Sequence, residues 1–370
     1  MKIGVLGGGS WGLALACLLA EKGEVIVWEY NQDLAERIRR TRENPISLPG
    51  VTIPSVIEIT SKIDCLAEAE VIVCALPSWA IRDVFSKMKG FLNEDALIVS
   101  CSKGIEEETF MRPSEVICDV LSERRRDVFS KMKGFLKEDA LIVSCSKGIE
   151  EETFMRPSEV ISDLLSKKTI VALSGPSHAE EVAQKIPTAV VSSSRNEKDM
   201  QFVQRLFSSS FFRVYTNPDI IGVELGGGLK NIIAIAGGIS DGLGFGDNTR
   251  AALFCRGIME MAKIGVAAGG VSTTFFGLAG IGDLMVTMTS KHSRNRRFGE
   301  LIGKGRCVED ALSEVKMVVE GFKTTQATFH LAKERRIETP ITDEVYYILF
   351  EGKDPSSAVK SLLNRELKEE

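Results

Sequence analysis

A segment of 44 residues occurs twice in tandem, and this duplication restricts the possible folds of the chain more than any other feature. Residues 82–125 (copy one) and 126–169 (copy two) align without gaps and differ at six of 44 positions. Stacked repeats normally need at least about three units to bury a continuous core, so a solenoid is disfavoured. Each copy instead reads as a helix, a strand, a Ser-Lys-Gly turn and a second helix. That is one βα unit of a parallel sheet. We therefore expect the two copies to compete for one strand position in the sheet.

The first part of the chain alternates short, β-rich apolar runs with helical stretches. The apolar runs are Lys2–Leu6, Glu24–Glu29, Val71–Leu76, Ala96–Cys101, Thr169–Ser174 and Ala189–Ser193. This alternation predicts a doubly wound parallel sheet of the α/β class. A last strand is predicted at Phe211–Tyr215, and helical spacing of apolar residues follows over 248–265 and 324–335. We therefore predict a dinucleotide-binding α/β domain over residues 1–217 and a mostly α-helical substrate and catalytic domain over residues 218–370.

A glycine-rich turn follows the first predicted strand directly. Gly7, Gly9 and Gly12 have the spacing G-x-G-x-x-G and lead into a helical run at 13–21. In this setting the first glycine permits a tight turn, the second lets a pyrophosphate approach the backbone, and the third lets helix and strand pack closely. The first N–H groups of the helix then face the anion. The motif predicts a Rossmann-type dinucleotide site, with a purely structural glycine turn as the alternative.

Glu29 ends the second predicted strand, 17 residues after Gly12. An acidic side chain at this place hydrogen-bonds the adenosine ribose hydroxyls and repels a 2′-phosphate. Tyr30 and Asn31 follow, so the arginine that often receives that phosphate is not found immediately after the strand. We expect NAD or NADP as the cofactor, with NAD slightly favoured. A solvent-facing Glu29 without a cofactor role is the alternative.

Four further stretches carry polar residues suited to catalysis. They are Ser-Lys-Gly at 102–104 and again at 146–148, Ser-Gly-Pro-Ser-His-Ala at 174–179, Gly-Leu-Lys-Asn at 228–231, and Gly-Ile-Gly-Asp at 280–283 with Ser-Arg-Asn-Arg at 293–296. Together with the opening glycines, they resemble the bacterial-type NAD(P)-dependent sn-glycerol-3-phosphate dehydrogenases over nearly the whole chain. The resemblance implies reversible hydride transfer between NAD(P)H and dihydroxyacetone phosphate, giving sn-glycerol 3-phosphate for phospholipid synthesis.

Lys230 suits the proton transfer that this chemistry needs. Hydride addition to a ketone leaves an alkoxide, which must receive a proton from a positioned group, and the same group accepts the proton in reverse. The apolar neighbours of Lys230 weaken the alternative of a surface lysine in a polar turn. Arg294, with Ser293 and Asn295, offers forked donors and positive charge to a phosphate group. A nucleic-acid patch at the same place is disfavoured by the acidic chain as a whole.

The resemblance extends the candidate site to further residues. Candidate substrate contacts are Lys103, Lys147, Gly175, Ser177, Asp283, Ser293, Arg294 and Asn295. Candidate cofactor contacts are Gly7, Gly9, Ser10, Trp11, Gly12, Glu29, Tyr30, Lys103, Lys147, Ala179, Arg294, Val318 and Glu320. Asp283 keeps three interpretations, since it could hold Lys230, hydrogen-bond substrate hydroxyls or cap a helix.

Composition argues against several other classes of protein. A formal net charge of −5 gives no overall basic field, which disfavours nucleic acid as a partner. We expect a small-molecule substrate, no secretion signal and no membrane anchor. Eight scattered cysteines and three histidines lack metal-ligand spacing, so we predict no metal and a cytoplasmic protein. The sequence does not fix the oligomeric state, for which we consider a homodimer.

Lys103 and Lys147 qualify equally for the lysine of the Ser-Lys-Gly turn. Copy one is linked to the strand at 71–76 and copy two to the strand at 169–174, so local linkage does not choose between them. We hypothesise that either copy can fill the place, with the other extruded or added as an extra strand. Alternatives for the whole chain are a related two-domain hydroxy-acid dehydrogenase, or a non-catalytic NAD-binding protein if the duplication disrupts the site.

Overall fold

The computed structural model describes residues 1–88, 90–93, 96–102, 141–150, 153–164, 169–315, 318–367 and 369. The chain divides into two compact units. Unit 1 comprises Met1–Ser146, Pro157–Leu173 and Ser177–Pro218, and unit 2 comprises Lys147–Arg156, Ser174–Pro176 and Asp219–Glu370. Unit 2 thus includes two short segments that come from before residue 219. The predicted division into domains at residue 217 remains a prediction.

Unit 1 is built on a parallel sheet of nine described strands, in the order β11-β10-β9-β8-β7-β6-β1-β2-β5. The strands, including a separate two-stranded pair β3 and β4, are β1 Lys2–Leu6, β2 Glu24–Trp28, β3 Glu43–Asn44, β4 Leu48–Thr52, β5 Glu58–Thr60, β6 Val71–Cys74, β7 Leu97–Ser100, β8 Leu141–Ser144, β9 Thr169–Ser174, β10 Thr188–Ser193 and β11 Phe212–Asn217. The predicted parallel α/β sheet is confirmed. Strands β3, β4 and β5 were not predicted, because they are short and lack a continuous β-branched run.

Helices of unit 1 cover the sheet with apolar side chains. They are α1 Ser10–Leu19, α2 Gln32–Thr41, α3 Ser78–Met88, α4 Pro157–Leu164, α5 Ala179–Ala183 and α6 Glu197–Phe207, with a short 3₁₀ turn at Ile63–Leu66. Strands buried on both faces read as nearly continuous apolar runs, as β1 and β6 do. Asn31 begins α2, since its side chain accepts a hydrogen bond from the N–H of Leu34.

The two copies of the duplication place their strands side by side in this sheet. Strand β7 belongs to copy one and β8 to copy two, and they pair in parallel with Ile98 opposite Ile142 and Val99 opposite Val143. Strand β7 also pairs with β6, and β8 pairs with β9. The expected competition for one place is therefore wrong, because the extra strand lies in the middle of the sheet. An interior position hydrogen-bonds both sides of the strand and avoids an exposed edge.

Unit 2 is mostly helical, as predicted. Its described helices are α7 Ile220–Gly242, α8 Asp247–Ala267, α9 Ser272–Phe275, α10 Asp283–Thr289, α11 Arg294–Gly303, α12 Val308–Val315, α13 Glu320–Glu334, α14 Pro340–Glu351 and α15 Pro355–Leu363, with one π-helical turn at Leu278–Gly282. A buried apolar cluster, including Ile232, Ile233 and Phe298, lies among these helices.

Helix α7 is the central helix of unit 2. It is long and apolar enough to cross a membrane by length and composition, but 94% of its most apolar window is buried inside the protein. A core helix passes the same test, and burial by neighbouring helices identifies α7 as one. Glycines bring its partner close: a Cβ on Gly238 would lie 2.0 Å from the carbonyl oxygen of Arg296 in α11, and one on Gly299 would lie 2.1 Å from that of Ile235.

The close approach of α7 and α11 predicts the effect of a single added methyl group. Gly238→Ala should lower the free energy of unfolding by about 1–3 kcal/mol, because the two helices must separate to admit the Cβ. Gly90→Ala is the matched control, since no described residue other than its chain neighbours lies within 4 Å of its Cβ position, and it should change stability by less than about 0.5 kcal/mol. Urea unfolding measures both. Equal stability of the two variants would contradict the packing.

Candidate active site

The glycine turn after β1 has the geometry that its sequence predicts. Gly7 has a φ of 107°, a conformation that L side chains rarely adopt, and a Cβ there would lie 2.9 Å from the carbonyl oxygen of Ala75. A Cβ on Gly12 would lie 2.0 Å from the carbonyl oxygen of Gly7. At Gly9, by contrast, no atom lies within 4 Å of the Cβ position. The turn is therefore closely packed at Gly7 and Gly12 and open at Gly9. The open position lets a pyrophosphate approach the backbone closely.

Helix α1 begins at this turn without a side-chain cap. Gly9 is its N-cap residue and makes no side-chain hydrogen bond, and the first turn contains no acidic residue. Unpaired N–H groups and the positive end of the helix dipole attract an anion. Ser10 and Trp11, which were predicted to contact the cofactor, are the first two residues of the helix and are partly exposed. These features fit a dinucleotide phosphate.

Glu29 lies next to the glycine turn. Its carboxylate accepts hydrogen bonds from the N–H of Gly8 at 2.9 Å and from the N–H of Asn31 at 3.0 Å. The carboxylate is partly exposed, and a carboxylate has room for further donors such as ribose hydroxyls. Tyr30 is 71% exposed. The interpretation of Glu29 as a side chain directed only to solvent does not fit these contacts.

Asn44 supports the glycine turn and was missed in the sequence. Its side chain is 1% exposed and donates to the carbonyl oxygen of Gly8 at 2.9 Å. Asn44 comes 32 residues after Gly12 along the chain, so no local motif indicates the contact. A buried amide is, however, expected to have a partner wherever it lies.

Asp283 and two lysines form a buried cluster in unit 2. The carboxylate of Asp283, 2% exposed, accepts a hydrogen bond from Lys230 Nζ at one oxygen and from Lys147 Nζ at the other, the second at 2.6 Å. Lys147 Nζ also donates to the carbonyl oxygen of Gly175 at 3.1 Å. Four of the predicted substrate and catalytic residues are thus in contact. Of the three interpretations of Asp283, the structure favours the one in which it holds Lys230.

The charge balance of this cluster fixes the state of Asp283. Burial raises the pKa of a carboxyl group, but the ammonium groups of Lys147 and Lys230 more than offset this, so the pKa of Asp283 lies below its ordinary value. The carboxylate is therefore ionised at neutral pH. One carboxylate faces the side chains of two lysines, so basic groups outnumber acidic groups among these three residues. Such a site attracts an anionic substrate.

A run of three glycines in α7 lets the other segments reach this cluster. A Cβ on Gly226 would lie 2.6 Å from the carbonyl oxygen of Ala279, one on Gly227 would lie 2.6 Å from Ser174 Oγ, and one on Gly228 would lie 3.1 Å from the Cα of Gly148. The approach of Gly148 brings the neighbouring Lys147 towards Asp283. Each glycine lowers the stability of a helix interior by about 1 kcal/mol relative to alanine. Three in succession are therefore unfavourable unless another segment packs closely there, and this run could have indicated the contact from the sequence.

A second buried ion pair, within unit 2, holds the end of the segment Lys147–Arg156 against α7. Arg156 Nη1 lies 2.6 Å from Glu224 Oε2, and the side chains are only 6% and 2% exposed. Arg156 ends the segment that begins at Lys147, while Glu224 lies on α7 two turns before Lys230. Sequence reasoning missed this pair, because the partners are 68 residues apart. The pair fixes the far end of the segment, whose other end is held by the contacts of Lys147.

A third group of polar side chains surrounds the start of α11. Arg294 Nη1 donates to the carbonyl oxygen of Val318 at 2.9 Å, and its Nη2 lies 3.5 Å from Glu320 Oε1. Asn295 Nδ2 donates to Asn231 Oδ1 at 3.0 Å, and Asn295 Oδ1 accepts from the N–H of Gly321 at 2.9 Å. Asn231 follows Lys230 in α7, so this group adjoins the lysine cluster along the chain.

Not every predicted residue belongs to these groups. Ser293 uses its hydroxyl to cap α11 by accepting from the N–H of Arg296. Ser177 and Ala179 belong to unit 1, where Ala179 begins α5 and packs against the apolar core. Lys103 lies outside the described residues. No group of three or more possible metal ligands occurs among the described residues.

Comparisons with known proteins agree with these features. Residues 219–360 match the C-terminal model of NAD-dependent glycerol-3-phosphate dehydrogenase, and residues 2–127 and 120–200 each match its N-terminal model. The junction of the two N-terminal matches coincides with the duplication.

Two bacterial relatives and one solved structure illustrate the similarity. Proteins named glycerol-3-phosphate dehydrogenase [NAD(P)+] from Pelotomaculum thermopropionicum and Bacillus subtilis are 45% and 44% identical, over 98% of this chain and 93% and 94% of theirs. The crystal structure of glycerol-3-phosphate dehydrogenase from Coxiella burnetii has a TM-score of 0.73 and 35% identity, covering 98% of this chain and 99% of that one. Each similarity extends over both units.

The depressed pKa of Asp283 predicts a pH-dependent contribution to stability. A carboxyl group with a lowered pKa stabilises the folded state above its unfolded pKa, and this contribution is lost as the pH falls through the folded pKa. Asp283→Asn should therefore cost about 3–5 kcal/mol at pH 7, because it removes the carboxylate charge that Lys230 and Lys147 share. The deficit should narrow below pH of about 4.

Urea unfolding of both proteins between neutral and acidic pH measures this deficit. Asp310→Asn is the control, since Asp310 is exposed at the start of α12, and it should cost less than about 1 kcal/mol. A deficit for Asp283→Asn that stays constant with pH would contradict the proposed ion pairing.

Proposed function

This chain belongs to the NAD-dependent glycerol-3-phosphate dehydrogenase family, and from that premise we propose how its own residues carry out the reaction. It is an NAD(P)-dependent oxidoreductase that interconverts dihydroxyacetone phosphate and sn-glycerol 3-phosphate. We propose Lys230 as its acid-base residue. The observation that carries this proposal is the buried carboxylate of Asp283, which holds Lys230 and Lys147 together.

Lys230 has the position and burial that proton transfer requires. When bound, the nicotinamide supplies or receives the hydride at the secondary carbon of the substrate. The ammonium of Lys230 donates a proton to the carbonyl oxygen as negative charge develops there, and the amine takes it back in the oxidation direction. Asp283 fixes the direction of the lysine side chain, so that little reorganisation is needed during the reaction.

Lys147 is proposed as a second cation for the same oxygen or its neighbours. Its two hydrogen bonds to Asp283 and Gly175 leave the third ammonium hydrogen for substrate. Copy two therefore supplies the working Ser-Lys-Gly turn. The support is that Lys147, in copy two, contacts the residue that holds Lys230.

Arg294 and Asn295 are proposed to bind the phosphate of the substrate. Arg294 stands at the first turn of α11, where the helix dipole adds to its charge. Its side chain is 22% exposed, so a phosphate can reach it, and its contact to Glu320 at 3.5 Å is long. An incoming phosphate dianion would replace that long contact with shorter charge-assisted hydrogen bonds.

The cofactor is proposed to bind at the glycine turn of unit 1. Gly7, Gly9 and Gly12 with the N-terminus of α1 suit the pyrophosphate, and Glu29 suits the adenosine ribose. The absence of an arginine immediately after Glu29 favours NAD over NADP. Ser10 and Trp11 begin the same helix, and Ala179 packs against the same core, which supports their proposed contacts.

Location and assembly are proposed on more general grounds. The seven cysteines among the described residues are free thiols, which suits the reducing cytoplasm. A homodimer is a proposal that size-exclusion chromatography with light scattering would test. Neither proposal affects the assignment of Lys230.

Replacing Lys230 tests the central assignment. Lys230→Met should lower kcat by about 10²–10⁴-fold, because the developing alkoxide loses its proton donor. Binding of NADH, followed by its fluorescence, should be largely retained, since the glycine turn proposed for the cofactor phosphates does not include Lys230. Lys304→Met, which removes an exposed lysine, is the control and should keep full activity. A Lys230→Met enzyme with unimpaired turnover would rule the proposal out.

Replacing the two equivalent lysines separately tests which copy works. Lys147→Met should reduce kcat/KM for dihydroxyacetone phosphate by at least about tenfold, which is the loss of roughly one charge-assisted hydrogen bond. Lys103→Met is the matched control, because it makes the same change at the same place in the duplicated sequence. The assignment fails if Lys103→Met is the damaging change, or if only the double variant loses activity.

A further inference from the structure

The duplication places a pair of cysteines in contact. Strands β7 and β8 have the same sequence and pair in register, so each residue lies beside its own copy. Cys101 and Cys145 follow these strands immediately, and the N–H of Cys145 donates to the carbonyl oxygen of Ser100 at 2.9 Å. Their sulfur atoms are 3.3 Å apart. A single copy of the segment would contain only one of these two cysteines.

The geometry lies close to that of a disulfide. Neighbouring strands are about 4.8 Å apart, within the range of Cα separations that disulfides span, and the S–S bond itself is about 2.05 Å. Rotation of the two side chains can therefore bring the sulfur atoms from contact to bonding distance. Both residues belong to unit 1, so no movement between the units is needed.

The pair lies at the edge of the sheet that carries the glycine turn. In a parallel sheet the carboxyl ends of all strands share one edge, where ligands bind. Cys101 follows β7 as Gly7 follows β1, and Trp11 packs against the buried apolar cluster that contains Cys101. Trp11 is the second residue of α1, directly after the turn proposed for the cofactor phosphates. Chemistry at Cys101 is thus coupled to the cofactor end of unit 1.

The two thiols differ in the way that a sequential oxidation requires. Cys145 is partly exposed, whereas Cys101 is 2% exposed. A hydrogen bond with Cys145, together with burial, raises the pKa of Cys101 well above its usual range. Cys145 is therefore the sulfur that an oxidant reaches first, and Cys101 must give up its proton to the departing oxygen as its sulfur attacks.

We propose that Cys101 and Cys145 form a reversible oxidation site for hydroperoxides, in which a disulfide joins the two copies and weakens cofactor binding. The peroxide transfers one oxygen to Cys145, giving a sulfenic acid and water or an alcohol. The sulfur of Cys101 then attacks that sulfur, the S–S bond forms, and the S–O bond breaks. The oxygen leaves as water with the proton of Cys101. Two electrons pass from the two sulfur atoms to the peroxide.

The effect on the cofactor follows from Trp11 and relies on the cofactor site proposed above. The disulfide moves the sulfur of Cys101, so the packing of Trp11 against the cluster that contains Cys101 changes. The Kd for NADH should rise by roughly twofold to tenfold, because the start of α1 loses part of its packing. Dithiothreitol should restore it, because a disulfide made from two packed thiols is accessible to exchange at Cys145.

The first test detects the disulfide itself and needs no turnover. The reduced full-length protein is treated with hydrogen peroxide at an equimolar amount, and its intact mass and its peptides are measured. We expect the loss of two hydrogen atoms per chain and a peptide that links Cys101 to Cys145. Cys145→Ser and Cys101→Ser should each abolish the linked peptide, whereas Cys255→Ser, at an exposed cysteine of α8, should retain it. Sulfinic acid at Cys145 without linkage, or linkage to another cysteine, would overturn the proposal.

The second test measures NADH binding by fluorescence before oxidation, after oxidation and after reduction. The coupling of the disulfide to cofactor binding is supported if oxidation raises the Kd for NADH and dithiothreitol restores it. Peroxide should leave the Kd of the Cys145→Ser protein unchanged. A linked protein that binds NADH as tightly as the reduced one would disprove the role of Trp11. Because neither measurement involves substrate, loss of this proposal would leave the assignment of Lys230 intact.

Discussion

The buried carboxylate of Asp283 is the interaction on which the rest of the candidate site depends. A charge out of water is costly unless opposite charges and hydrogen bonds surround it, and Asp283 has both lysines within hydrogen-bond reach. One carboxylate cannot neutralise two ammonium groups. The surplus positive charge is stabilised best when an anion is present, so the cluster is more complete with a phosphorylated, partly negative substrate than without one. In the proposed mechanism, binding and catalysis thus use the same electrostatic imbalance.

The close approach of these segments requires glycines in α7, which lower the stability of the helix. Gly226, Gly227 and Gly228 weaken α7 locally, yet any side chain there would separate α7 from the segments that bring Lys147 and the π-helical turn before Asp283. The ion pair of Arg156 with Glu224 then fixes the far end of the Lys147 segment. Charge pairing and close packing act together, because the short distances in the cluster exist only where the backbones can approach.

Local patterns predicted the parts of the molecule that local physics determines. The turn at Gly7–Gly12 follows from backbone conformation and lies within a few residues, so its geometry agrees with the sequence prediction. Contacts between distant residues could not be read in this way: Asn44 with Gly8, Arg156 with Glu224, and the sharing of Asp283 by two lysines. Short strands such as β5 were missed for a related reason, since their pairing partner, rather than their composition, makes them strands.

The position of the duplicated strand explains why the site is retained. In a sheet with one copy, a single strand would adjoin both β6 and β9, and its Ser-Lys-Gly turn would follow both neighbours. With two copies, β7 keeps the contact with β6, and β8 keeps the contact with β9. Lys147 follows β8 and Gly175 follows β9, and the hydrogen bond between Lys147 and Gly175 is the contact that adjacent strands make possible. Copy two therefore pairs with β9, the strand that leads to Gly175. Copy one pairs with β6, the strand beside β1 and its glycine turn.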